Sequence, residues 1–172
     1  MQFQLSCHKI LFAAALLLGN TTSAFAESAV PSAAQAEPPK YDFSVVSETK
    51  DKTHPHYAEG VATGFVVDGV QGRTLTLVRG KTYTFGIDTG ITHDFYLSTK
   101  PIGWGMDTLT TGVKGNYTYK GVVTFTPAAE TPDIVYYSCR NHKYMGGDIH
   151  VVNPGEEGKL QSIKPPAAGG KQ

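Results

Sequence analysis

Short runs of β-branched and aromatic residues, interrupted at close intervals by turn residues, constrain the fold of this chain more than any other feature. Apolar and polar residues alternate clearly in residues 74–78 and 82–87, as in strands that bury one face. Gly, Pro, Asp or Asn occupies most of the gaps between the runs, and the central part of the chain has no clear helical period. The runs are residues 43–46, 64–67, 75–78, 82–87, 94–97, 121–125, 134–138 and 148–152. Seven or eight short strands predict an all-β fold, an antiparallel β-sandwich.

One stretch of the central region departs from this pattern. Residues 99–121 are rich in glycine and carry Trp104, the single tryptophan of the chain. We expect this stretch, called the excursion below, to be a long loop that has room for a short helical turn.

The two ends of the chain differ in composition from the centre. Lys9 precedes an apolar run at 10–19, and small residues follow at the positions that a signal peptidase reads. Residues 1–26 are therefore predicted to be a cleaved signal peptide, and the run is shorter than the about 20 residues of a membrane-spanning helix. Ala-, Pro- and Gly-rich composition predicts a flexible leader at 27–40 and a flexible tail at 154–172, around one domain at 41–153.

The charge balance argues against two classes of partner. The chain has 15 basic and 15 acidic residues, and the predicted signal peptide removes only Lys9 from this balance. A nearly neutral chain has no electrostatic basis for binding nucleic acid or an anionic membrane surface. We therefore expect neither as a partner.

The cysteine count is more informative than the charge. The chain has two cysteines, and Cys7 leaves with the predicted signal peptide. Cys139 then cannot form an internal disulfide, and a lone thiol in an oxidising compartment is a liability unless something occupies it. Its possible roles are an intermolecular disulfide, a buried inert thiol, a reactive nucleophile or a metal ligand.

The neighbours of this cysteine favour a metal ligand. Cys139, His142 and Met145 follow one another at three-residue spacing between two predicted strands, so that a tight loop can direct all three side chains to one point. Gly146-Gly147 lets the backbone turn after the methionine, where a side chain would obstruct it. Thiolate, imidazole and thioether suit copper, whereas thioether is a weak ligand for zinc.

A trigonal copper site with two histidines, a cysteine and an axial methionine needs one further histidine. The remaining candidates after the predicted cleavage site are His54, His56, His93 and His150. His93 follows a turn and begins a predicted strand, which places it at one end of the sandwich, where loops gather. We therefore predict one copper ion bound by His93, Cys139, His142 and Met145.

The chain resembles the cupredoxins, and the resemblance covers nearly all of residues 41–152. It rests on an isolated histidine followed by a strand, then a distant Y-x-C-x₂-H-x₂-M loop before the last strand. The loop is similar to the short one of the amicyanin type. Residues 80–85, 93–96 and 141–147 are similar to periplasmic cupredoxins linked to bacterial copper tolerance. The resemblance implies a Greek-key sandwich, a type 1 copper at its loop end, and hydrogen bonds to the thiolate from the amide of Asp94; a second such bond from Asn141 is a hypothesis.

These features predict a periplasmic protein that binds copper in copper homeostasis or tolerance, with a diffusible electron carrier as the alternative. The expected partners are the copper ion and a redox partner or copper-handling protein of the periplasm. A copper enzyme needs a second histidine cluster, for which the chain has too few histidines, although weak copper oxidation stays open. A metal-free interaction module is a further alternative. His54 and His56 are a possible second, exposed copper site, and Trp104 and Met106 a possible docking face near the copper.

Overall fold

The computed structural model describes residues 40–158, and ten strands account for its regular structure. No helix occurs in this described part, so it contains no helix that could cross a membrane. The strands are β1 (Phe43–Thr49), β2 (Thr63–Val67), β3 (Val70–Gln71), β4 (Leu75–Val78), β5 (Tyr83–Asp88), β6 (Phe95–Ser98), β7 (Val113–Lys114), β8 (Lys120–Phe125), β9 (Ile134–Cys139) and β10 (Gly147–Val152).

The strands form two sheets. One has six strands in the order β3-β2-β1-β5-β8-β7, and the other has four in the order β4-β10-β9-β6. The prediction of an all-β sandwich is confirmed. Most strand pairs are antiparallel, as predicted, while β1 pairs with β5 and β10 with β4 in parallel. Alternation of buried and exposed residues is the same in both kinds of pairing, so it could not distinguish them.

All eight predicted runs are strands, with bounds that mostly agree to within one residue. The strands that the prediction lacked, β3 and β7, have two residues each, too few to show an alternation. The excursion contains β7 and no helical turn; isolated bridges join it to the rest of the domain at Phe95–Thr118, Ser98–Thr108 and Gly103–Lys143.

The core lies between the two sheets and reaches the end where the predicted ligands gather. Phe65 and Phe85 of the larger sheet contact Phe95 of the smaller one, with ring centroids 5.7 Å apart in both pairs. Tyr137 stacks on Phe95 at 6.0 Å. Each buried ring contributes about 1.5–3 kcal/mol to folding. Since Phe95 is paired with Cys139 in the sheet, this aromatic cluster also anchors β6, which follows His93, and β9, which ends at Cys139.

The predicted signal peptide and most of the predicted leader and tail lie outside the described residues. The domain limits at 41 and 153 stay predictions, as do the assignments of residues 1–26, 27–40 and 154–172.

Candidate metal centre

Pairing between β6 and β9 brings two of the predicted ligands together. Cys139 is the last residue of β9 and lies opposite Phe95 in β6. The N–H of Arg140 donates to the carbonyl of Asp94 at 2.8 Å and extends the ladder by one step. His93, immediately before this step, therefore lies beside the start of the loop 139–145, which we call the ligand loop.

The side chains of His93, Cys139 and His142 converge on one point. His93 Nδ1 is 3.2 Å from His142 Nδ1, which is 3.6 Å from Cys139 Sγ. All donor atoms of this group lie within 4.8 Å of one another, and it is the one group of His, Cys, Asp or Glu in residues 40–158 with such an arrangement. Three ligands at about 2.0–2.3 Å from one ion in a trigonal plane stand about 3.5–3.8 Å apart. The donor set therefore fits a single metal ion.

Burial controls the proton affinity of these groups. Cys139 is fully buried, and its burial raises the pKa of the thiol, while N–H groups of Asn141 and His142 directed at the sulfur act in the opposite direction. Burial, and then the proximity of His142, lowers the pKa of His93. His93 is thus readily available as a neutral ligand, and a metal ion that binds the thiolate displaces a proton from a buried group.

Met145 ends the ligand loop and is fully buried in the core cluster. Its side chain therefore lies on the interior side of the loop. The two residues that follow it must be glycines, because a side chain at either position would collide with neighbouring backbone. A Cβ on Gly146 would lie 1.6 Å from the carbonyl oxygen of Tyr137, and one on Gly147 2.5 Å from that of Gly72. This agrees with the prediction that a side chain would obstruct the chain here.

The excursion supports the ligand loop, mainly at Cys139 and His142 and also at Tyr144, through backbone groups. The N–H of Trp104 donates to the carbonyl of Cys139 at 2.8 Å and to that of His142 at 3.3 Å, and the N–H of Tyr144 donates to the carbonyl of Ile102 at 3.1 Å. A Cβ on Gly103 would lie 2.8 Å from the His142 oxygen. We call these contacts the Trp104 support.

Residues of β2 and of the segment before it support the last part of the loop. The carbonyl of Met145 accepts hydrogen bonds from the N–H of Phe65 at 2.6 Å and from the imidazole Nε2 of His54 at 3.2 Å. The ring of His56 packs against that of Tyr144 with centroids 5.2 Å apart, and a Cβ on Gly60 would lie 2.3 Å from the Lys143 carbonyl oxygen. We call these contacts the His54 support.

Both supports hold residues in unfavourable backbone conformations. Trp104 has φ of 62° and Tyr144 has φ of 59°, in the left-handed region that costs a side-chain-bearing residue about 1–2 kcal/mol. Such conformations persist where the surroundings determine them. The hydrogen bonds and ring contacts of the two supports hold Trp104 and Tyr144 in these conformations.

Asn141 makes a contact that the sequence did not indicate. Its side-chain Nδ2 donates to the carbonyl of Thr92 at 3.0 Å, which ties the ligand loop to the turn that carries His93. Its backbone N–H is directed at the Cys139 sulfur and acts to lower the pKa of that thiol; the second hydrogen bond to the thiolate stays a hypothesis. The predicted role of the Asp94 amide stays a prediction.

His54 and His56 do not form an exposed pair. His54 is 2% exposed, and both of its ring nitrogens take part in hydrogen bonds within the protein. Burial lowers the pKa of His54 to about 4. The possible second copper site at the surface is therefore not supported by this geometry. Trp104 and Met106, by contrast, are 56% and 49% exposed next to the ligand loop, and the Lys143 ammonium lies over the Trp104 ring at 4.3 Å.

Comparisons with known proteins give distant similarities. No family model matches the chain. The chain is 26% identical over 153 residues to the protein Skeletor of Drosophila melanogaster, and the match covers 54% of this chain, 19% of isoforms B/C and 10% of isoforms D/E. The chain thus spans a fifth or less of the length of these relatives.

Among solved structures, the chain is similar to rusticyanin. A single-residue variant of rusticyanin has a TM-score of 0.39 and 18% identity, and the protein from Thiobacillus ferrooxidans has a TM-score of 0.36 and 20% identity. Both matches cover 63% of this chain and 76% of rusticyanin.

Proposed function

We propose that this chain is an exported protein that binds one type 1 copper ion through His93, Cys139, His142 and Met145. The observation that carries the proposal is the convergence of two imidazole Nδ1 atoms and one thiol at mutual distances of 3.2 and 3.6 Å. Two histidines and a cysteine in a plane, with a weak axial methionine, form the arrangement of copper electron-transfer sites. The motif resemblance to cupredoxins agrees with this donor set.

Met145 is the fourth ligand of the proposal. Its spacing from His142 and its complete burial favour a position beneath the three other donors. Thioether sulfur is a soft ligand that suits copper and is a poor choice for zinc. The donor set therefore favours copper over zinc.

Copper bound here supplies a one-electron couple, and the chain supplies a fixed set of ligands. The Trp104 support and the His54 support restrain the loop, so the ligands shift little between oxidation states. Four protein ligands leave no open position for a substrate. The proposal is accordingly a copper-binding protein and not an enzyme, with weak oxidation of copper as a secondary possibility.

The biological role that we propose is copper homeostasis or tolerance in the periplasm. It is supported by the motif resemblance to copper-tolerance cupredoxins and by the predicted signal peptide. Burial of His54 removes the further support that an exposed histidine pair would give. The alternative role is a diffusible electron carrier, which the restrained loop and the exposed Trp104 and Met106 beside it favour.

Copper titration of the purified protein tests the site. One equivalent of Cu(II) is expected to produce an intense thiolate-to-copper band in the visible range and a type 1 EPR signal. Cys139→Ala is expected to lose both. His150→Gln changes a histidine in β10 outside the cluster and is expected to keep them. A band that survives in Cys139→Ala, or no band in the unaltered protein, would refute the site.

Cell experiments separate the two roles. If the protein serves tolerance, copper induces its expression, and its deletion sensitises cells to copper while respiration continues. A deletion that impairs respiratory growth at low copper and leaves copper resistance unchanged would instead identify an electron carrier.

A further inference from the structure

His54 is a buried histidine whose partners are all within the protein. The N–H of His56 donates to His54 Nδ1 at 3.0 Å. A nitrogen that accepts a hydrogen bond carries no proton, so the proton of the neutral ring is on Nε2. Nε2 faces the carbonyl oxygen of Met145 at 3.2 Å, and it is therefore the donor of that bond.

Two glycines, Gly64 and Gly72, leave room for the His54 ring. A Cβ on Gly64 would lie 2.5 Å from His54 Nε2, and one on Gly72 3.1 Å from the same atom. The turn that carries the ring is fixed by Lys50, which is 7% exposed and whose ammonium donates to the carbonyls of His56 and Glu59 at 3.1 and 2.6 Å. The ring thus has one position, and in that position it reaches the end of the ligand loop.

His54 contacts Met145, the proposed weak ligand of the copper. A thioether bond to copper is long and soft, and small displacements of the sulfur alter it. Residues that hydrogen-bond to the ligating segment orient the ligands and tune the metal. The Met145 carbonyl is held on one side by the backbone of Phe65 in β2 and on the other by the His54 side chain.

We propose that His54 is a positioning residue of the copper site, whose Nε2–H holds the Met145 carbonyl and thereby sets the position of the methionine thioether. This inference rests on the function proposed above. It also assigns a role to a histidine that is otherwise distant from the three converging donors.

The first measurement needs no copper. In the copper-free protein, long-range ¹H–¹⁵N spectra of the imidazoles are expected to show His54 as the Nε2–H tautomer, with a proton protected from exchange. An Nδ1–H tautomer, or rapid exchange, would overturn the inference.

The second measurement compares three copper-loaded variants with the unaltered protein. His54→Leu removes the donor and is expected to shift the visible band ratio and the EPR hyperfine splitting, with a loss of about tenfold or more in copper affinity. His54→Gln places an amide N–H in a similar position and is expected to restore most of the spectrum. His150→Gln, the matched control, is expected to leave spectrum and affinity unchanged.

The outcomes distinguish this inference from the proposed site. If the unaltered protein shows the type 1 spectrum and His54→Leu, folded by circular dichroism, shows the same spectrum and affinity, the positioning role is refuted and the site stands. If the unaltered protein gives no thiolate band, both are refuted. Should His54→Leu fail to fold, Gly64→Ala displaces the ring while keeping the histidine, and the same spectral shift is expected; an unshifted spectrum there would overturn the inference.

Discussion

The ligand loop is supported at two places by different kinds of groups. The Trp104 support uses a backbone N–H, which bonds to the carbonyls of Cys139 and His142. The His54 support includes a side chain, which bonds to the carbonyl of Met145. The proposed ligands Cys139 and His142 are thus tied by a backbone group that side-chain substitutions do not remove. Met145 is tied by the backbone N–H of Phe65 and, in addition, by a side chain that a single substitution removes.

This difference indicates a division of labour in the site. Under the proposed function, Cys139 and His142 determine whether copper binds, and the position of Met145 adjusts the spectrum and potential of the bound copper. Each support also includes a glycine in close contact with a loop carbonyl, Gly103 in one case and Gly60 in the other. Substitution of these glycines therefore tests the division directly.

The largest effect is expected for Gly103→Ala. Its Cβ would lie 2.8 Å from the His142 oxygen and 3.0 Å from the Cys139 oxygen, at φ of 76°. The left-handed conformation costs about 1–2 kcal/mol, and the contact with two backbone oxygens adds about 1–3 kcal/mol. We expect loss of stability and a strong loss of copper affinity, measured by chemical unfolding and by copper titration.

Gly105→Ala is the matched control for this variant. Gly105 has a similar φ of 68°, but its Cβ would be in ordinary contact with Arg140, 3.4 Å from the side-chain Cγ and 3.5 Å from the carbonyl oxygen. The stability of Gly105→Ala is expected to fall only by the cost of the left-handed backbone conformation, and its copper affinity is expected to be unchanged. Equal copper affinities in the two variants would contradict the importance of the Trp104 support.

An effect that is smaller on copper affinity, and different in kind, is expected for Gly60→Ala. Its Cβ would lie 2.3 Å from the Lys143 oxygen at φ of 63°, and the loop must move near Met145. We expect copper to bind with a shifted visible spectrum and a modest loss of affinity. Gly80→Ala is the control. Gly80 has a φ of 79° and no atom within 4 Å of an added Cβ, so this variant measures the cost of the backbone conformation alone. If Gly60→Ala abolished copper binding while Gly103→Ala spared it, the division of labour would be reversed.

The parts of the fold that sequence alone predicted are those with a local signature. Alternation within residues 74–78 and the run of strand-forming residues at 148–152 identify β4 and β10, and each strand buries one face. The parallel pairing of these two strands was not predictable, because residues far apart in sequence meet there and both orientations bury the same face.

The site shows the same distinction. Cys139 and His142 are neighbours in sequence, so their spacing alone predicted a common point, and the structure brings them together with His93. Ligation by Met145 stays a prediction. His56, two residues away, led to the prediction that His54 belongs to a surface pair. His54 is instead buried, and the carbonyl that it contacts belongs to Met145, 91 residues further along the chain. No local pattern indicates a hydrogen bond over that distance.

The smallest effect is expected within the first part of the loop, at Asn141, where two contacts can be separated. Asn141→Ala removes the side-chain bond to the carbonyl of Thr92 and keeps the N–H that points at the Cys139 sulfur. Asn141→Pro removes both, because proline has no N–H. A hydrogen bond to a charged acceptor such as thiolate is worth about 1.5–3 kcal/mol, and it withdraws charge from the sulfur.

We therefore expect Asn141→Pro to favour Cu(II), with a reduction potential lower by tens of millivolts, since about 59 mV corresponds to a tenfold change for a one-electron couple. Asn141→Ala is expected to change the potential little and to loosen the turn that carries His93. Voltammetry and visible spectra of the two variants measure the difference. An unchanged potential and spectrum in Asn141→Pro would refute the hydrogen bond to sulfur, and the Trp104 support would then fix the position of Cys139 without Asn141 tuning its charge.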